Sequence, residues 1–234
     1  HPFPENRLAH TQQMLDSAQA DYAALTWDRE PYLRRLDGMV YGDDPREGYF
    51  DGQAFYHPEL KFQVVFPAGW RTNNGFSAVT GLAEKQDGLL QLELAGTEPI
   101  ATQLQTFLAQ QGVTAGATSN AAVNGLPAAS AQFGAQLEKG PVRGYITFIT
   151  YGGRNYRLMT LATDAQFAAY DAPMRVWARS FRPLTDAARI NVRPTRIKIV
   201  KLGGPRTVTA FNTRYPSVIP VDRVALLNGV ATDA

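Results

Sequence analysis

Apolar positions change their spacing several times along the chain, and each change marks an element. Between Glu5 and Leu25, residues Leu8, Leu15, Ala18 and Tyr22 recur at helical spacing and Pro4 suits a first turn, so a helix is predicted there. A second helix is predicted over Arg29–Asp37, with Asp28 as N-cap and Gly38 as terminator. The string Tyr41-Gly42-Asp43-Asp44-Pro45 then breaks the helical period. Beyond Phe50 the pattern becomes strand-like. Phe62, Val64 and Phe66 alternate and stop at Pro67-Ala68-Gly69-Trp70, a strand running into a turn. Ser77–Leu82 and Leu89–Leu94 read as further strands, separated by a polar turn at Asp87-Gly88.

Ile100, Leu104, Phe107 and Leu108 mark an amphipathic helix ended by Gly112. Asn124-Gly125 signals a hairpin between Thr118–Val123 and Ala128–Leu137, and Gly152-Gly153 a second one between Val142–Thr150 and Tyr156–Thr163. A helix from Asp164, its N-cap, to Arg179 puts Phe167, Tyr170, Met174 and Trp177 on one face. Strands, a helix, a meander and a helix predict an α+β class, an antiparallel sheet flanked by helices. After Leu184 a short basic strand over Arg196–Val200 and two short helices, Thr207–Tyr215 and Val221–Leu227, are predicted, with Asn228-Gly229 closing the second. The expected organisation is a helical connector over 1–40, an α+β domain over 41–185 and a small basic module over 186–234.

Composition narrows the chemistry. The chain has 234 residues, enough for one large domain with appendages, and its charged fraction is only 19%. It has no Cys, which removes disulfides and thiolate metal sites. No apolar run of about 18 residues occurs, so no transmembrane helix is expected. The net charge of +2 hides an asymmetry: Arg189 to Arg223 carries a net +7, leaving the remainder at −5. Arg193, Arg196, Lys198, Lys201 and Arg206 in that tail are the candidate partner-binding residues, for a protein or an envelope surface. The competing reading is a charge-guarded strand edge. Nothing there matches a nucleic-acid motif, and Phe211 and Tyr215 are its only aromatic residues.

Catalytic constellations are absent from the sequence. His1, His10 and His57 are its histidines, and no His-Glu-x-x-His, Gly-x-Ser-x-Gly or P-loop occurs. His1 and His10 are half a helical turn out of phase, so they form no self-contained zinc pair. His57-Pro58-Glu59 reads as a turn before a strand. Asp43, Asp44 and Glu47 read as Asx-turn chemistry before Pro45 rather than a cation site. Trp70 and Trp177 read as packing residues.

Three resemblances add expectations. His1-Pro2-Phe3-Pro4-Glu5-Asn6-Arg7-Leu8 resembles a segment of zinc metallopeptidases of the CAAX-protease type, where it follows the zinc-binding helix. That resemblance implies a non-catalytic C-terminal region of a metallopeptidase-like protein. It implies zinc in the parent with no cofactor in this chain, a metal-neighbouring role for His1, and a periplasmic or envelope location. The region would bind substrate or partner proteins, or regulate the peptidase. Phe66-Pro67-Ala68-Gly69-Trp70, Val123-Asn124-Gly125-Leu126-Pro127-Ala128, the Gly-Gly hairpin and Ser180-Phe181-Arg182-Pro183-Leu184 together resemble the PsbP-like fold. The tail resembles a LysM module, though Gly204-Pro205-Arg206-Thr207 departs from that family's Gly-Asp-Thr turn. This implies peptidoglycan as an alternative partner.

Overall fold

The computed structural model describes residues 4–18 and 28–232. These divide into two compact units, a larger one of residues 41–195 and a smaller one drawn from 1–40 and 196–234. Among the described residues no helix is long and apolar enough to cross a membrane.

The larger unit is α+β, as expected, with two antiparallel sheets. Four short strands, β1 (Tyr49–Asp51), β2 (Ala54–His57), β3 (Phe62–Val65) and β11 (Arg182–Pro183), pair in the order β1-β2-β3-β11. Seven more form the main sheet: β4 (Arg71–Asn74), β5 (Val79–Leu82), β6 (Gly88–Leu94), β7 (Val113–Ser119), β8 (Ala128–Leu137), β9 (Gly140–Tyr151) and β10 (Arg154–Thr163). Their order is β4-β5-β6-β10-β9-β8-β7. Helix α3 (Ile100–Leu108) packs over β7, β8 and β9, whereas α4 (Phe167–Arg179) packs on β9, β10 and β3. The helical turn α5 (Ala187–Ile190) follows β11.

Alternation along β9 feeds two cores. Ile146 and Phe148 pack with Leu104 and Phe107 of α3 and with Phe133. Ile149 and the half-buried Tyr145 join the larger cluster of Phe62, Val64, Phe66, Leu90, Leu92, Leu158, Met174 and Trp177. Trp70 and Trp177 are both buried, as packing residues should be. The β9–β10 approach is close at Gly144, where a Cβ would lie 1.7 Å from the Thr160 carbonyl oxygen. The Thr160 hydroxyl accepts from the Tyr145 N–H there, at 2.9 Å. Tyr145 in turn donates its hydroxyl to Asp171 of α4, which also pairs with Arg175.

Several expected boundaries move, each for a local reason. The strand expected over Thr118–Val123 lies earlier, at Val113–Ser119. Residues 114–119 are exposed on both faces, so no apolar alternation marks them. Asn124 and Gly125 do adopt left-handed φ values of 49° and 79°, closing a tight turn between Val123 and Leu126. Helix α4 starts after Gln166 without a side-chain cap, because Asp164 instead pairs with Arg143 at 2.9 Å.

In the smaller unit the helices are α1 (Pro4–Ser17), α2 (Arg29–Leu36), α6 (Val208–Arg214) and α7 (Val221–Leu227). Tyr22, expected on the first helix, lies outside the described residues. The expected strand over Arg196–Val200 is reduced to a single bridge between Arg196 and Val40. Its neighbouring backbone bonds, Gly38 N–H to Ile197 O and Ile197 N–H to Met39 O, are both 2.8 Å. Helices α6 and α7 enclose Val208, Val224 and Ala225, and the Thr207 hydroxyl caps α6 by accepting from the Ala210 N–H at 3.2 Å.

Two measurements check this packing. Phe66→Ala should cost about 3–5 kcal/mol in urea unfolding, whereas Gln63→Ala, one pleat out of phase, should cost less than about 1 kcal/mol. Gly144→Ala, which drives a methyl into backbone, should cost about 3 kcal/mol although it adds one carbon.

Candidate binding cleft

Sheet register brings the cleft's floor together. Arg157 on β10 sits opposite Glu93 of β6 on one side and Phe148 of β9 on the other. The first pair forms an ion pair, and Glu93 also accepts from the Gln91 side chain at 2.8 Å. Helix α3 supplies one wall through Thr102, Thr106 and Phe107, Gln110 just past its end adds to it, and residues 94–98 supply the end. The cleft is open to solvent and has a volume of ≈ 340 Å³. Thr102 and Thr106 are exposed at i and i+4 on α3, and the exposed Gln110 beyond its last turn lines the same cleft, so the wall carries a row of polar groups.

The end wall is braced by two amides. Gln103 donates to the carbonyls of Gly96 and Glu98 at 2.8 and 2.7 Å, and Asn155 donates to the same two at 3.1 and 2.8 Å. Asn155 is itself oriented by the Thr150 hydroxyl at 2.8 Å. A loop held at both carbonyls by two different elements keeps its shape when a ligand arrives.

A second hollow of ≈ 360 Å³ is lined by Asp44, Arg46, Glu47, Pro58, Glu59 and Ile190. Asp44 accepts from the Arg46 backbone N–H at 3.0 Å and pairs with its guanidinium at 2.6 Å, which raises the Arg46 pKa. This is the Asx-turn arrangement that Asp43-Asp44-Pro45 suggested. Among the described residues no three His, Cys, Asp or Glu side chains gather as a metal site.

His57 ends β2, immediately before Pro58 and Glu59 of that hollow. Its Nδ1 accepts from the Leu60 N–H at 3.2 Å, and the rings of Phe62 and Phe55 lie 5.2 and 6.3 Å away. Burial lowers its pKa below 6.5, with Glu59 pulling the other way. In the main core, burial pushes the Tyr156 phenol up to about 12.

The residues expected from the sequence are divided between the two units. His1 lies outside the described residues. Arg193 belongs to the larger unit and is exposed. Arg196 donates to the Gly38 carbonyl at 2.5 Å and Lys198 approaches Asp37 at 3.5 Å. Asp37 also accepts from the Ile199 N–H at 2.8 Å, and that bond chiefly lowers its pKa. Lys201 and Arg206 are exposed on either side of Gly203-Gly204-Pro205. Sequence reasoning missed Glu93 and Arg157. The signal was present in Leu90-Gln91-Leu92-Glu93-Leu94, whose polar positions all fall on one face.

No protein-family model and no curated protein sequence matches the chain. Similar solved structures include cyanobacterial PsbP (CyanoP) from Synechocystis sp. PCC 6803, with 10% identity and a TM-score of 0.44. That match covers 56% of this chain and 91% of that one. LpqN of Mycobacterium tuberculosis, described as involved in cell envelope biogenesis, is 14% identical with a TM-score of 0.42, over 68% of this chain and 99% of that one. A putative regulator, PA94 from Pseudomonas aeruginosa, is 13% identical with a TM-score of 0.37, over 53% and 92%.

The His57 environment makes a pH prediction. The native state holds His57 neutral, so as pH falls below about 6.5 the unfolded chain takes up the proton first. Stability should therefore be full above that pH and decline as pH falls through the lowered native pKa. His57→Gln should flatten this part of the stability-versus-pH curve from urea melts. An unchanged slope would mean that another group carries it.

Proposed function

We propose that this chain is the non-catalytic C-terminal region of a zinc metallopeptidase-like protein, with residues 41–195 binding protein segments, substrates or partners, on its behalf. The cleft between α3 and the Glu93–Arg157 pair is the observation that carries the binding role. Thr102, Thr106 and Gln110 make no side-chain hydrogen bond among the described residues and stay exposed beside that pair. An extended polypeptide offers one N–H and one C=O per residue, which such a row can engage whatever the bound sequence. The parent assignment rests on the resemblance of His1 to Leu8, and the envelope location on the same resemblance. Zinc would be held by a His-Glu-x-x-His helix that these 234 residues do not include, with His1 near its open coordination position.

A second reading rests on the smaller unit. Lys201 and Arg206 flank an exposed Gly-Gly-Pro loop before the α6–α7 pair, the place where the LysM-like order suggests glycan contact.

Fluorescein-labelled β-casein, an unfolded polypeptide, separates the two by anisotropy. The chain should bind it, and a Thr106→Arg/Gln110→Arg variant should bind about tenfold more weakly. Lys201→Ala/Arg206→Ala should leave casein binding intact. Equal affinity in the cleft variant would remove the cleft from the proposal. Loss of pelleting with insoluble peptidoglycan in the Lys201/Arg206 variant alone would favour the glycan reading.

A further inference from the structure

One flank of the main sheet has a composition unlike the rest of the chain. From Pro99 to Leu137, 39 consecutive residues include no Asp, Glu, Lys, Arg or His, in a protein where 19% of residues are charged. Those residues build α3, β7 and β8. β7 is the outermost strand, hydrogen-bonded on one side to β8, and its residues 114–119 are all exposed. The other sheet edges follow the usual protective pattern. β4 is four residues long and carries Arg71, β1 is three residues long and ends on Asp51, and β11 is two residues long and consists of Arg182-Pro183. Seven-residue β7 has neither charge nor proline, and its one interruption is an extra residue between Ala115 and Thr118.

We propose that β7, with α3 above it, is a homodimerisation edge on which a second copy of this chain pairs β7 antiparallel to β7. The sequence favours a second copy over a foreign strand because Thr114-Ala115-Gly116-Ala117-Thr118 is a palindrome about Gly116. A two-fold axis at Gly116 sets each Thr114 opposite Thr118 of the second copy and each Ala115 opposite Ala117. Thr–Thr pairs across antiparallel strands are favourable, and no like charges meet. The irregular residues Gly116 and Ala117 fall at the axis, and Thr114 and Thr118 lie outside them, free to pair. On the α3 face, Ala101, Gln105 and Leu108 lie on the flank of the helix away from the cleft, at i, i+4 and i+7. None of these side chains is charged, so no like charges meet where α3 faces its symmetry mate. Depletion of charge where strands and helices meet is the composition of an interface centre rather than of a solvated rim.

Sedimentation velocity on the full chain from about 1 to about 100 µM tests the proposal, because dimerisation is concentration-dependent. A species of twice the chain mass should appear, and Thr114→Lys/Thr118→Lys should raise its dissociation constant at least about tenfold. Both threonines are exposed, so the fold should tolerate the change. Because the chain has no Cys, a covalent trap is also clean. Opposed residues on paired antiparallel strands have Cα atoms about 4.5–5.5 Å apart, within disulfide reach. Mixing Thr114→Cys protein with Thr118→Cys protein, which stand opposite each other outside the bulge, in oxidised glutathione should give the mixed disulfide dimer. A monomer throughout the range, a dimer indifferent to the two lysines, or no cross-link on mixing would overturn the proposal.

Discussion

The spacing between β9 and β10 at Gly144 constrains everything packed on the main sheet. Thr160 is buried there, with its hydroxyl bonded to the Tyr145 N–H, and its carbonyl oxygen lies where a side chain on residue 144 would begin. These two strands form the middle of the sheet, and both of its cores grow outward from them. Phe148 and Ile146 reach α3, while Tyr156, Leu158 and Ile149 reach the cluster beneath α4. The Tyr145–Asp171–Arg175 chain then fixes α4 laterally with polar contacts that apolar packing alone would not specify. Displacing the hairpin would disturb both layers together.

Much of this was legible along the chain because burial on one face leaves a period. Phe62, Val64 and Phe66 alternate since β3 lies on the main core, and the Gly152-Gly153 hairpin turn was found because both residues need left-handed φ. Where the period vanished, prediction failed. β7 is exposed on both faces and showed no alternation, so its strand was placed several residues late. β1 and β2 are too short for a pattern to emerge from Tyr49 to His57. The Arg196–Val200 segment looked like a strand by composition, but its pairing rests on Val40, more than 150 residues earlier, which no local reading anticipates.

The candidate site was less legible than the fold, for a physical reason. Charged residues in the basic tail stood out by density, yet two of them, Arg196 and Lys198, are engaged with Gly38 and Asp37 inside the smaller unit. Arg157 and Glu93 carry no density signal, being 64 positions apart in sequence. Only the register of β6 against β10 makes them neighbours, and only the placement of α3 gives them a wall.

Two cores of unequal size on opposite faces of one sheet also imply unequal local stability. The cluster under α3 joins seven buried residues and the other joins twenty, so the α3 layer is the thinner one. Opening it exposes less apolar surface than global unfolding does, so hydrogen exchange should find it as a separate, less stable unit. Amide protons of α3 and β7 then exchange through a partial opening that leaves β6, β10 and α4 protected. The cleft wall and the uncharged edge belong to that same unit, so a ligand or partner engaging either would slow exchange across both.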